Sequence, residues 1–178
     1  MRNPLLRLGA RLSAVAAIVV LVSACAQDLS APTGPALASQ FSGTVAGSVQ
    51  APLSGTAAML PIPASTVGTT ALPPAAVLGL VDTTGTVVAF EWYGVTTPKV
   101  GRYNIGFGSA DIAMNYDQQT GRAGSSFDGT RGTVTITTVT DTYVSGTFSA
   151  SAAAQDTKAA IIVAGTFTAD IKPPNPGN

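Results

Sequence analysis

The amino-acid sequence predicts an all-β domain, a single antiparallel β-sandwich or barrel of about seven to nine strands. Three observations point there. Apolar and hydroxyl side chains alternate with a period of two, most clearly from residue 131 onward. Turn-forming residues recur between these runs, and no stretch after residue 24 shows the 3.6-residue period of an amphipathic helix.

Taken in order, Phe41 to Gln50 reads as a first strand. Residues 51–75 carry Pro52, Pro61, Pro63, Pro73 and Pro74, which remove ladder donors and oppose a central strand. A long loop is expected there, with one short strand near Ala57–Leu60, or else a tether running to about residue 75. Ala76–Val81 and Thr86–Tyr93 follow as apolar, β-branched and aromatic runs, and Asp82-Thr83-Thr84-Gly85 between them has hairpin-turn chemistry. Pro98 to Gly101 predicts a further turn before strands at Arg102–Phe107 and Asp111–Tyr116, and Gln118–Gly121 is turn-like again.

The last fifty residues are the most regular. Arg131–Thr140 alternates Val134 and Ile136 with threonines, the pattern of a half-buried strand. Thr142–Ala152 places Val144, Gly146, Phe148 and Ala150 on one face, and Ala160–Ile171 does the same with Ile161, Val163, Gly165, Phe167 and Ala169. Ser145-Gly146-Thr147-Phe148-Ser149-Ala150 and Ala164-Gly165-Thr166-Phe167-Thr168-Ala169 repeat one pattern. In antiparallel neighbours the two Phe side chains would share one core face, with the glycines permitting close packing.

Ahead of the domain the chain reads as an address. Arg2, Arg7 and Arg11 precede an almost wholly apolar run from Leu12 to Ala24, and no acidic residue occurs before Asp28. That run suits an export-signal core of roughly 7–15 residues and is too short for a spanning helix of about 20. Leu21-Val22-Ser23-Ala24-Cys25 resembles the lipobox of bacterial lipoproteins. The resemblance implies a signal peptide over residues 1–24, a lipid thioether on Cys25 and attachment to a membrane through acyl chains. It also implies the outer membrane in a Gram-negative cell, because Ala26 rather than Asp follows the Cys. Cys25 is the only cysteine, so an internal disulfide is impossible. Residues 25–40 would form a lipid-anchored tether, residues 41–172 the domain and residues 173–178 a tail.

The order of an early Gly-Thr-Val, then Gly101-x-Tyr103-x-Ile105, Gly132–Thr137, Ser145–Ser149 and a final Gly-Thr-Phe also resembles a group of small bacterial lipoproteins. Their shared β domain has no assigned function, and the similarity spans roughly residues 41–170. Those relatives often carry a Trp soon after the first Gly motif, which this chain lacks. The resemblance therefore implies a β domain and no active site.

Composition narrows the function classes. Only 10% of the chain is charged, against about 25% in ordinary domains. Beyond residue 24 nine acidic residues face six basic ones, and no Lys/Arg run remains to bind nucleic acid. The chain has no His, which removes His-based triads and the usual zinc sites. No catalytic residues, cofactor or metal are expected. Asp111, Asp117 and Asp128 read as turn residues rather than a hydrolytic carboxylate pair. Gly106-Phe107-Gly108-Ser109 lies between strands and fails the dinucleotide fingerprint, which needs a following helix. Were Glu91 and Tyr93, which share one strand face, to look into a barrel interior or cleft, Arg102 or Tyr103 on a nearby strand could complete a polar pocket, although Trp92 in the core with Glu91 in solvent is the simpler expectation.

The leading functional expectation is a non-enzymatic envelope lipoprotein that binds a partner or plays a structural part. A lipocalin-like carrier of a small apolar ligand is the alternative, and a carboxylate-based glycan hydrolase the remote one.

Overall fold

The computed structural model describes residues 39–173 apart from residues 68, 107–110, 119–124 and 155. The expected signal segment, Cys25 and the expected tether up to residue 38 lie outside the described residues, as do residues 174–178 of the expected tail.

The strands are β1 (Gln40–Gly47), β2 (Ala51–Ile62), β3 (Ser65–Val67), β4 (Thr70–Leu72), β5 (Ala75–Asp82), β6 (Val87–Tyr93), β7 (Gly101–Ile105), β8 (Ile112–Asp117), β9 (Ser126–Val139), β10 (Tyr143–Ala154) and β11 (Ala160–Ile171). Nine of them close into a barrel in the order β1, β11, β10, β9, β7, β8, β6, β5, β2, and β3 pairs with β4 as a separate hairpin. The expected single β domain is present, as a barrel rather than a sandwich. Most neighbours in the wall pair antiparallel, the exceptions being β7 with β8 and the short contact of β11 with β2, and β7 stands between β8 and β9. Closure comes from β1, which pairs with β11 on one side and β2 on the other. The ladder that closes the wall lies within residues 40–171. Closure also removes the free edges that so few charges would leave unprotected.

Alternation decides what faces inward. Leu53, Ala57 and Met59 of β2, Ala76, Leu78 and Leu80 of β5, and Val88, Phe90 and Trp92 of β6 all join one buried core. Intervening positions such as Ser42, Thr44, Ser54, Thr56, Thr147, Ser149 and Thr166 face water, where hydroxyls keep their hydrogen bonds. On β5 and β6 the outward positions Ala75, Val77, Val87 and Ala89 are apolar and buried as well. This matches their continuous, non-alternating sequence runs.

Two elements differ from expectation. Residues 51–75 are neither the expected loop nor tether: Ala51–Ile62 form a full strand despite Pro52 and Pro61, and the hairpin β3–β4 follows it. Pairing with β5 covers Gly55–Ile62, and pairing with β1 ends at Gly55. Pro52 and Pro61 therefore each sit where β2 has one main neighbour, so a missing N–H can point away from the ladder. Strand β9 begins five residues before Arg131. The register slips twice against β10, leaving Thr130 and Thr137 as the extra residues. Each donates its hydroxyl across the bulge, Thr130 Oγ1 to the Ser151 carbonyl and Thr137 Oγ1 to the Ser145 carbonyl, both at 3.1 Å. The first bulge flips the inward set from Phe127 and Gly129 to Val134 and Ile136.

Candidate interaction surface

The barrel interior is the first place to look for a site, because barrels of this size either fill with side chains or hold one small ligand. Phe90 on β6 and Phe148 on β10 come from opposite walls and meet with ring centroids 5.4 Å apart. Phe148 also covers Gly165, its register partner on β11, and Phe167 covers Gly146 in the reciprocal pair. A Cβ on Gly165 would stand 2.8 Å from Phe148 Cζ, and one on Gly146 would stand 3.1 Å from Phe167 Cζ. The sequence repeat is therefore a packing device: each strand supplies a ring and leaves room for its neighbour's.

Either side of this ring contact, the core holds one more aromatic pair. Tyr116 and Phe127 meet edge-to-face at 5.7 Å toward one end, and Trp92 and Tyr103 do so at 5.7 Å toward the other. Burial pushes the Tyr116 phenol above its ordinary range, while hydrogen bonds to Gln118 and Thr86 act in the opposite sense. Trp92 is 2% exposed, and its Nε1–H finds no acceptor among the described residues.

The four residues singled out as a polar pocket do not converge. Glu91 and Tyr93 project from the outer face of β6, where the Tyr93 hydroxyl donates to Glu91 Oε2 at 2.7 Å. Arg102 is exposed on the outside of β7, and β8 separates β7 from β6. Tyr103 takes the opposite parity and turns inward to Trp92. Its hydroxyl donates to the Lys99 carbonyl at 2.8 Å and accepts from the Lys99 N–H at 2.9 Å, which pins the β6–β7 loop. Trp92 in the core with Glu91 outside is the arrangement found.

Of the three carboxylates weighed as a hydrolytic set, Asp111 lies at one end of the barrel and Asp117 and Asp128 at the other. Asp111 Oδ2 accepts from the Asn104 N–H at 2.8 Å. Asp117 and Asp128 occupy outward positions on adjacent strands β8 and β9. Asp82 closes the β5–β6 turn, its Oδ1 accepting from Thr84 N, Thr84 Oγ1 and Thr86 N at 2.7–2.8 Å. Among the described residues no group of three His, Cys, Asp or Glu side chains is placed to share a metal ion.

What composition did not reveal is a cluster of exposed apolar side chains at one end of the barrel. Ile62, Leu72, Tyr93, Val95 and Val100 are all exposed. They lie where β2 ends, β5 begins, β6 ends and β7 begins. Ile62, Ala75 and Tyr93 are consecutive register partners across three strands and share the outer face. The opposite end carries Asp82, Asp117, Asp128 and Asp156 against Lys158.

Comparison with known proteins gives no matching family model, no matching curated protein and no matching solved structure.

Proposed function

We propose that this chain is an exported, lipid-anchored protein of the bacterial cell envelope, held on the outer membrane in a Gram-negative cell, whose barrel is a non-catalytic binding or structural module. The anchor rests on the apolar run Leu12–Ala24 and on Leu21–Cys25, where a thiol follows small residues at the position a lipid thioether needs. Two or three acyl chains give stable attachment where one chain gives only marginal binding.

The module reading rests on the contact between Phe90 and Phe148. A lumen bridged by two rings from opposite walls is spent on its own stability, so recognition falls to the outer surface. One observation favours the carrier instead. The Nε1–H of Trp92, which has no acceptor among the described residues, would be satisfied by the oxygen of a small ligand at that end of the barrel.

The experiment is expression in a bacterial host with membrane fractionation and mass determination of the mature N-terminus. The expected result is a chain starting at Cys25 with diacylglycerol added, and a Cys25→Ser variant that leaves the membrane fraction. A soluble chain with an unmodified thiol would overturn the anchor.

A further inference from the structure

The apolar end of the barrel has an occupant that its position in the chain identifies. Five of the six large apolar residues exposed among the described residues gather there: Ile62, Leu72, Tyr93, Val95 and Val100, with Val100 at 63% and Tyr93 at 59%. Scattered exposed apolar residues need no explanation, but a cluster at one rim marks a contact surface. Tyr93 brings an apolar ring with a polar tip, the chemistry favoured at a bilayer interface.

The chain is fed into the barrel from that same end. Strand β1 runs away from it, and Ser39 is fixed beside the last turn of the ladder, its hydroxyl donating to the Ala57 carbonyl at 2.8 Å and accepting from the Asp170 N–H at 2.9 Å. Thirteen residues separate Cys25 from Ser39, a reach of up to about 40 Å when extended. A chain anchored at Cys25 therefore holds this rim within easy reach of the bilayer. Charge does not set the orientation, because Glu91, Asp111, Asp141 and Asp170 lie at this end beside Lys99, Arg102 and Lys172, and the remaining acidic side chains of the described residues lie at the other; the exit of the tether does.

We propose that the rim of Ile62, Leu72, Tyr93, Val95 and Val100 rests on the lipid bilayer, so that the barrel stands on the membrane in one orientation instead of swinging on its tether. The presence of a bilayer close by rests on the lipoprotein reading above, while the docking surface itself does not.

Two measurements test it. In the lipidated full chain, Cys25 is consumed by the thioether, so Val100→Cys or Thr83→Cys provides a single thiol for an environment-sensitive fluorophore. Reconstituted in vesicles of phosphatidylethanolamine and phosphatidylglycerol, the label at position 100 shifts to the blue and is quenched by brominated lipid, and the label at position 83 stays in water. Separately, the chain from residue 26, which contains the whole closed ladder and no acyl chain, co-sediments with the same vesicles. Val100→Asp and Tyr93→Asp each lower the bound fraction at least tenfold. Equal exposure of the two labels, or binding indifferent to both substitutions, would overturn the proposal. A failure of lipidation shows instead as an unmodified Cys25 by mass and leaves the second measurement to decide the docking alone.

Discussion

Phe90 and Phe148 close the barrel at mid-height, their rings tilted at 51° with centroids 5.4 Å apart. Both are buried, and each truncation to Ala removes a large apolar side chain that the walls cannot collapse to replace. Phe148→Ala is expected to cost about 3–5 kcal/mol in urea unfolding. Because the rings touch, the double variant should cost less than the sum of the singles. Additive losses would show that the two rings do not interact.

Gly165 is the counterpart of that ring on the neighbouring strand. A Cβ there would lie 2.3 Å from the Ser42 carbonyl oxygen, 2.8 Å from Gly43 Cα and 2.8 Å from Phe148 Cζ. Two of these three atoms are backbone, so β1 and β11 must move apart to admit it. Gly165→Ala is expected to destabilise the barrel by more than the 1–3 kcal/mol typical of overpacking, roughly 3 kcal/mol or above. The measurement is the thermal midpoint, and an unchanged midpoint would refute the close approach.

Asp82 is a structural carboxylate. Its Oδ1 gathers three donors from Thr84 and Thr86 in the β5–β6 turn. Asp82→Ala leaves those donors unpaired and should cost about 1–3 kcal/mol, with Asp82→Asn recovering part of the loss. Equal losses in the Ala and Asn variants would argue against the hydrogen bonds as the cause.

Tyr116 gives the fold an alkaline limit. Its folded pKa is raised above the ordinary value near 10, first by burial, so the unfolded chain gives up this proton before the folded chain does. The stabilisation is complete below the unfolded value and falls as pH climbs through the folded one. Ultraviolet titration should show Tyr116 ionising late, together with loss of the fold. Tyr116→Phe should flatten the decline of stability above pH 10, and an unaltered slope would remove this residue as its source.

How much of this could be read from the chain depends on range. Local alternation showed the inward sets of β10 and β11, and the Gly-Phe repeat showed that Phe148 and Phe167 could share a core. The first part of β9 was obscured because the bulge at Thr130 switches the inward parity, so a single alternation fitted from Val134 backward fails at Phe127. Strand β2 was obscured by Pro52 and Pro61, whose tolerance depends on which neighbours β2 has at each height. Closure through β1 and β11 joins residues 114 to 128 positions apart, which no local pattern announces. The same holds for the apolar rim: Ile62, Tyr93 and Val100 belong to separate runs and become neighbours only when the topology brings one end of the barrel together. Arg102 and Tyr103, by contrast, were separable by parity alone, since adjacent residues on a strand face opposite ways.

The central claim is that the barrel is filled and works from its outside. The most direct measurement is titration of the chain from residue 26 with a fluorescent fatty acid, competed by palmitate. The account predicts no saturable site of one fatty acid per barrel in the wild-type chain. A saturable one-to-one site that persists in Tyr93→Asp and Val100→Asp variants would place the ligand inside the barrel and contradict it.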